Sequence, residues 1–292
     1  MATEVATLLS FFWNGLVEGS LIALAGLGLT LLFGLLNFIN IAYGEYMAWA
    51  AYITLLATVG GLPFVGAILV GAVGGGLIAI AADRAIFQHF SNRSPVVLLV
   101  VSIGTSFILR NLIRVLVPSE FRTALYGVEL LHVPNIAGVT ILGNQVVVLI
   151  LSVLILGGVF LLLNRTRIGI AMRAASNDTD LARLRGIDTN RLVIYVTVLG
   201  GFIAGIAGVM LGLESQVNPT MGFTFLIPVF AAVILGGIGD PLGAVIAGYA
   251  LGIAQKLSLV IIPSEYTPAV ALLLLIAGLL TRPDGIFGET TR

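Results

Sequence analysis

Residues 165–191 read RTRIGIAMRAASNDTDLARLRGIDTNR and form the only long polar segment of an otherwise strongly apolar chain. The segment carries six arginines and three aspartates, and apolar runs flank it on both sides. Ile168, Ala171, Met172 and Ala175 recur at the spacing of one helix face. The segment is therefore predicted to fold into short amphipathic helices rather than to remain a loose linker.

Capping residues predict where these short helices begin and end. Either Asn177 or Asp178 can cap a second helix, because both side chains accept hydrogen bonds from free amides of a first turn. Gly186 follows a late basic residue, which predicts a left-handed helix end. Asp188 or Thr189 can then cap the apolar helix that follows.

The composition indicates an all-α, polytopic helical membrane protein. The chain has 292 residues, of which 59% are hydrophobic and 10% are charged, whereas a soluble domain has about 25% charged residues. A formal net charge of zero excludes a nucleic-acid binder that relies on bulk electrostatics. No cysteine is present, and the lone His132 of a polar loop has no neighbouring second ligand, so no metal site is expected.

Apolar runs long enough to cross a bilayer predict about eight membrane segments, two of them broken or re-entrant. Arginine-rich loops face the cytoplasm, which places residues 83–94 and 165–191 inside and residues 118–144 outside. Two stripes of small residues predict close helix contacts. These stripes are Gly15, Gly19 and Ala23 in the first span, and Gly71 and Gly75 in a later one.

Two interruptions of the apolar pattern resemble each other. Ile39-Asn40 with Gly44 four residues later matches Val217-Asn218 with Gly222, and two further blocks keep an offset of 176 to 178 residues. An odd number of crossings separates the copies, so they are predicted to form an inverted repeat with halves at about 11–117 and 145–281. Both halves are predicted to belong to one transmembrane domain, residues 1–292.

Each interruption is predicted to start a half-helix. Asn40 can cap the first, and Asn218 can cap the second with Pro219 at its first helical position. Free amides and a positive dipole end then suit an anionic or zwitterionic solute. The alternative is that these residues only form packing kinks. The solute path is expected along Asn40, Tyr43, Gly44, Glu45, Asn218, Pro219, Thr220, Met221 and Gly222.

Two charged positions in the spans leave alternatives open. Glu45 can act as a counter-ion for a substrate ammonium group or as a structural hydrogen-bonding group. Arg110 and Arg114 lie on one face near the end of their span. They can snorkel or pair near the interface, or they can attract substrate.

Five blocks of the sequence together resemble the permeases of branched-chain amino acid ABC importers. The blocks are residues 14–30, 39–45, 167–187, 218–222 and 282–288, and the resemblance covers nearly the whole chain. The family usually has a histidine at the position of Tyr43 and an acidic residue at that of Glu45. Because the same family includes permeases for urea, amides and aromatic acids, these solutes are alternatives to branched-chain amino acids.

The resemblance implies a multi-pass subunit of a prokaryotic cytoplasmic (inner) membrane that works with partners. These are a second permease subunit (homologous or a second copy), two ATP-binding subunits and an extracellular solute-binding protein, besides membrane lipid. The chain itself is expected to be no enzyme and to bind no cofactor. ATP would be used by the partners, because no G-x4-G-K-[ST] phosphate loop is present. The resemblance places ATPase docking on Ala171, Arg173, Ala174, Asn177, Asp178, Ala182, Gly186 and Ile187.

The main alternative to an ABC permease is a self-sufficient channel or secondary transporter, because inverted repeats with broken helices also occur there. A carrier coupled to protons or sodium favours buried carboxylates in mid-helix, and only Glu45 is a candidate. A membrane-embedded enzyme is disfavoured, because no paired acid and base residues are found in register.

Overall fold

The computed structural model of the chain describes residues 2–91, 93–118, 126, 141–282, 285 and 286. The predicted outer loop, including His132, lies almost wholly outside the described residues. Within them the chain is helical, in agreement with the predicted all-α class. The α-helices of the described residues are α1 (Ala2–Leu36), α2 (Tyr43–Val59), α3 (Phe64–Ala85), α4 (Pro95–Leu116), α5 (Gly143–Arg165), α6 (Arg167–Asn177), α7 (Thr179–Leu184), α8 (Thr189–Glu214), α9 (Met221–Gly236), α10 (Pro241–Ser258) and α11 (Thr267–Thr281).

Six helices of the described residues are long and apolar enough to cross a membrane. They are α1, α3, α4, α5, α8 and α11 together with the short 3-10 helix that precedes it. The expected count of about eight segments is therefore not confirmed, and neither is a re-entrant path of α2 or α9. With 16 residues, α9 reaches about 24 Å at 1.5 Å per residue, short of a hydrocarbon core of roughly 30 Å. α10 is not among the six helices, because the polar Gln255 and Lys256 lower its mean hydropathy.

Contacts divide the chain into two units, and the first comprises Met1–Leu27, Gly127–Leu154 and Ile227–Arg292. In this unit α1 packs against α10 through small residues, as predicted for the first stripe. A Cβ on Gly15 would lie 2.7 Å from Ile253 Cα, and one on Gly19 would lie 2.9 Å from Tyr249 Cα. Such distances mean that the two helix backbones touch.

The same unit contains an ion pair between Glu18 of α1 and Lys256 of α10, the only lysine of the chain. Both side chains are about a quarter exposed. The ion pair lies next to the glycine contact that brings α1 and α10 together.

The second unit comprises Gly28–Tyr126 and Ile155–Leu226, and its core is formed by α2, α3 and α8. The second small-residue stripe lies here and again marks close packing, which confirms that prediction. A Cβ on Gly75 of α3 would lie 2.7 Å from Gly205 Cα of α8, and one on Gly71 would lie 2.8 Å from Ala50 O of α2. The closely packed helices α2, α3 and α8 hold in place the interrupted segments that the next section describes.

Candidate functional site: two broken helices and a buried ion pair

The first interruption, residues 37–42, separates α1 from α2 by a turn built on asparagines. Asn37 adopts a positive φ of 56°, which Asn tolerates better than most residues and which ends α1. Asn40 Oδ1 accepts a hydrogen bond of 3.0 Å from the Ala42 amide. This bond lies one residue before the helix, so Asn40 forms an Asx turn leading into α2 rather than the predicted cap of its first turn.

The second interruption, residues 215–220, repeats this turn. Asn218 Oδ1 accepts a hydrogen bond of 3.0 Å from the Thr220 amide, and α9 begins at Met221, as α2 begins three residues after Asn40. Pro219 was predicted at the first helical position, but it lies within the turn, two residues before the helix. The preference of Asn for a bond two residues ahead explains the difference.

The glycines of the two interruptions meet. A Cβ on Gly44 would lie 2.7 Å from Gly222 O, and a Cβ on Gly222 would fall on the carbonyl oxygen of Gly44. The first turns of α2 and α9 therefore cross backbone against backbone, an approach that only glycine permits. The structure thus brings the two predicted path segments together at this crossing.

Glu45 follows Gly44 and is completely buried. Its Oε1 accepts hydrogen bonds from Arg110 Nε at 3.0 Å, Arg110 Nη2 at 2.5 Å and Ser106 Oγ at 2.9 Å. Oε2 is also buried and has no hydrogen-bond partner among the described residues. The guanidinium lies 4.4 Å from the ring centroid of Phe223, the residue after Gly222, in a cation–π contact.

This geometry links three helices at the crossing. Arg110 on α4 neutralises the carboxylate of α2 and stacks on the first turn of α9. Sequence reasoning considered pairing for Arg110 but named neither Glu45 nor Phe223 as its partner. A signal was present, because Ser102, Ser106 and Arg110 recur every four residues and thus share a face of an otherwise apolar helix.

Ser102 on this α4 face supports the first interruption. Its Oγ accepts a hydrogen bond of 3.1 Å from the Ile41 amide and donates one of 2.7 Å to Leu99 O. The Ile41 amide would otherwise lack an acceptor, because it belongs to no helix. Broken backbone inside the protein is thus satisfied by a side chain of α4.

The predicted path residues differ in their environment. Tyr43 is fully buried, and its hydroxyl fills the space that a side chain on Gly28 of α1 would occupy. It packs in the core rather than at the crossing. Thr220 is exposed, whereas Asn218 and Pro219 are half-buried and the remaining path residues are buried.

Residues 165–191 fold into the two short helices predicted, and their ends follow the predicted chemistry. Asp178 Oδ1 accepts from the Leu181 amide at 2.8 Å and caps α7. Gly186 has a φ of 83°, and the Ile187 amide donates to Ala182 O at 3.1 Å, which completes a Schellman motif. Asp188 caps α8 through the Arg191 amide at 3.1 Å.

The buried face of α6 differs in part from the prediction. Met172 and Ala175 are buried as expected, but Ile168 is 43% exposed and Gly169 takes its place. Gly169 faces the backbone of Leu162 and Leu163 so closely that a Cβ has no room. This contact, rather than apolar periodicity alone, sets the rotation of α6 against α5.

The predicted docking residues are mostly accessible. Ala182 is the exception, because it is buried beneath the Schellman turn. Ala171 and Ile187 are half-buried, and the others are exposed. Four large apolar side chains on α6 and α7 are also exposed: Ile168, Ile170, Leu181 and Leu184.

The residues that the structure describes contain no group of three or more His, Cys, Asp or Glu side chains placed to hold a metal ion. The candidate site is therefore a crossing of interrupted helices with one internal charge pair. Interrupted helices that meet among membrane-length helices are typical of one class of protein, the membrane transport proteins.

Comparison with known proteins specifies this class further. The model of a family described as branched-chain amino acid transport system / permease component matches residues 11–279. The high-affinity branched-chain amino acid transport system permease protein BraD of Pseudomonas aeruginosa is 33% identical, with 94% of this chain and 94% of BraD covered. The chain belongs to this family of permease components.

Two solved structures share the fold at low sequence identity. A chain of PsaBC from Streptococcus pneumoniae, solved in complex with Fab, superposes with a TM-score of 0.54 at 14% identity, covering 95% of this chain and 94% of that one. A chain of a metal-chelate type ABC transporter in an inward-facing conformation gives a TM-score of 0.52 at 15% identity, covering 94% and 85%. These likenesses concern the fold alone.

Proposed function

We propose that this chain is the membrane-spanning permease subunit of an ATP-driven importer that moves branched-chain amino acids across a prokaryotic cytoplasmic membrane. The observation that carries the proposal is the family match over residues 11–279. The crossing of α2 and α9 supports it, because a permease needs interrupted helices where the solute passes.

The crossing suits an amino acid for electrostatic reasons. Both α2 and α9 begin there, and the dipole of each helix places a partial positive charge at its start, which attracts a carboxylate. Thr220, with its Oγ 2.9 Å from Asn218 Oδ1, is exposed at the start of α9. We assign the solute route to the accessible edge of this crossing, along Asn218, Pro219 and Thr220.

ATP hydrolysis is assigned to partner subunits, since the sequence has no phosphate loop. We place their docking surface on α6 and α7, where Ile168, Ile170, Leu181 and Leu184 are exposed apolar side chains in a polar segment. Such side chains suit insertion into a groove of a partner. A second permease subunit and an extracellular solute-binding protein complete the proposed importer.

The test is uptake into proteoliposomes that contain the chain with its ATPase, second permease and binding-protein partners. Leucine, isoleucine and valine are expected to accumulate only with ATP and the ATPase subunits present, and dissipation of ion gradients should leave uptake unchanged. Uptake that needs an ion gradient instead of ATP would identify a secondary transporter and contradict the proposal.

The route itself is tested by Asn218→Ala. The substitution removes the Asx turn that starts α9, at a cost of about 1 kcal/mol, and is expected to lower the transport rate more than the apparent affinity, which the binding protein provides. Asn111→Ala on α4, an exposed asparagine whose side chain bonds only within its own helix, is the matched control. Normal transport by Asn218→Ala and Asn40→Ala would mean that the interruptions are packing kinks.

A further inference from the structure

A cavity of 460 Å³ lies within the second unit, away from the crossing. It is bounded by the end of α1, the end of α3 with the following 3-10 helix (Phe87–Phe90), α7 and the start of α8. This volume is in the range of pockets that hold small molecules. Three features decide which ligand the cavity can bind: a negatively charged side chain, positively charged side chains and an apolar wall.

The negative charge is Asp83, near the end of α3. Asp83 is only 9% exposed and lines the cavity. Its carboxylate nevertheless forms no hydrogen bond or ion pair with any described residue. The neighbouring Arg84 attracts this carboxylate electrostatically but forms no hydrogen bond or ion pair with it. A buried carboxylate without such a bonded partner is costly, so a donor supplied by a ligand would stabilise it. A ligand with an ammonium group would supply both.

The positive charges are Arg84 and Arg183, which line the same cavity. Arg183 is held in place by a hydrogen bond of 2.8 Å from its Nε to Thr189 Oγ1. A guanidinium offers paired donors that match a carboxylate. The apolar wall is formed by Phe38 and Phe87, whose ring centroids lie 5.5 Å apart, together with Leu98.

We propose that this cavity binds a small zwitterion, a free α-amino acid with an apolar side chain, whose ammonium group pairs with Asp83 and whose carboxylate faces Arg84 and Arg183. The choice of an amino acid rests on the proposed function, whereas the charges and the wall do not. An anion alone is disfavoured because Asp83 would repel it. The site is separate from the crossing and lies on the side of the docking segment.

The cavity borders two other features of the chain. Arg183 and Thr179 belong to α7 of the docking segment, and Phe38 belongs to the first interruption. A bound amino acid would therefore contact the docking segment and the interruption at the same time.

The experiment uses Ser91→Cys, which places the only thiol of the chain on the cavity wall. The rate of modification by N-ethylmaleimide is measured on the purified chain, with and without L-leucine. Leucine is expected to slow the reaction about tenfold or more at saturation, and Asp83→Asn in the same background should remove this protection, as expected for the loss of a charge-assisted hydrogen bond. Neither measurement requires transport, so the result of this experiment does not depend on whether the import assay succeeds.

Controls separate the possible occupants. Ser94→Cys, in the same loop but outside the lining, should show no protection, and 4-methylpentanoate, which lacks the ammonium group, should not protect Ser91→Cys. If Asp83→Asn does not purify, the exposed Arg84→Gln is expected to weaken protection through the carboxylate. Protection that survives both substitutions overturns the proposal. So does protection by phosphatidylethanolamine nanodiscs alone, which would make a lipid headgroup the occupant.

Discussion

The Glu45–Arg110 pair shows how one charge is accommodated inside a membrane protein. A carboxylate in this environment is stable only when its partners neutralise it. Oε1 accepts hydrogen bonds from Arg110 Nε, Arg110 Nη2 and Ser106 Oγ, and the Phe223 ring packs against the guanidinium. The pair therefore joins α2, α4 and α9 at the point where the two half-helices cross.

Removing one member of this pair is expected to destabilise the chain strongly. Arg110→Met leaves Glu45 charged and buried, which should lower the free energy of unfolding by about 3–5 kcal/mol. The double variant Glu45→Gln/Arg110→Met should recover most of that loss, because no uncompensated charge remains. Thermal melting of the purified chain in detergent is the measurement.

The matched control is Arg114→Met, one turn further along the same helix. Arg114 is exposed, and its bond to Asn111 of 3.4 Å is weak, so a change within about 0.5 kcal/mol is expected. Equal melting temperatures for Arg110→Met and Arg114→Met would show that the buried pair contributes no stability.

A second residue-scale prediction concerns the crossing glycines. Gly222→Ala places a methyl group on the carbonyl oxygen of Gly44, so α2 and α9 must move apart. Overpacking of this kind costs about 1–3 kcal/mol, and leucine uptake at matched membrane levels should fall sharply. Gly104→Ala on α4, where nothing lies within 4 Å of the new Cβ, is the control. Unchanged uptake by Gly222→Ala would separate the crossing from the solute route.

At the scale of residues, the sequence identified the unusual residues at the interruptions but not the residues that they contact. The two interruptions were found because Asn and Gly stand out in apolar runs. The link from Glu45 to Arg110 could not be read from spacing, because it joins residues 65 positions apart through the packing of two helices. Likewise, nothing in the sequence distinguished Tyr43, which packs in the core, from its neighbours at the crossing.

At the scale of elements, cap chemistry predicted the helix ends correctly in residues 165–191, but not at the interruptions, where Asn40 and Asn218 form Asx turns. Asp178, Gly186 and Asp188 end or begin helices as their side chains dictate, since caps depend on local bonds. Predictions that needed tertiary information were less accurate. Ile168 was placed on one face of a helix with Met172 and Ala175, but the close approach of Gly169 to α5 leaves Ile168 exposed while those two are buried.

The docking segment provides the prediction at this scale. Gly186→Val puts a β-branched side chain at a φ of 83°, which costs about 1 kcal/mol or more and reorients the end of α7. We expect the variant to insert normally but to lose leucine uptake and stimulation of the partner ATPase. Gly186→Asn, which tolerates the left-handed conformation, should retain both. Normal ATPase stimulation by the valine variant would exclude α7 as the docking helix.

At the scale of the whole molecule, composition was enough to identify a helical membrane protein but not to count its crossings. The expected eight segments included α2 and α9 as the two broken or re-entrant segments. Their lengths of 17 and 16 residues show why they fall short. The inverted repeat remains a prediction, although both interruptions are followed by a short helix, a glycine turn and a longer helix.

Orientation in the membrane is testable because the chain has no cysteine. Single cysteines at Ser91, Asn135 and Ser176 should react differently with a membrane-impermeant maleimide added from outside. Position 135, beyond the described residues, is expected to label, whereas positions 91 and 176 should label only after permeabilisation, because arginine-rich loops stay in the cytoplasm. Labelling of 176 but not 135 in intact cells would invert the topology.

The contact between α1 and α10 also affects how the chain folds while it is being synthesised. Gly15 and Gly19 touch Ile253 and Tyr249, which are made more than 200 residues later. At about 5–20 residues per second, the ribosome needs on the order of ten to fifty seconds to synthesise that interval. Throughout this period the glycine face of α1 resides in the bilayer without its final neighbour. Insertion of the nascent chain therefore has to keep the first helix from pairing wrongly until the tenth emerges.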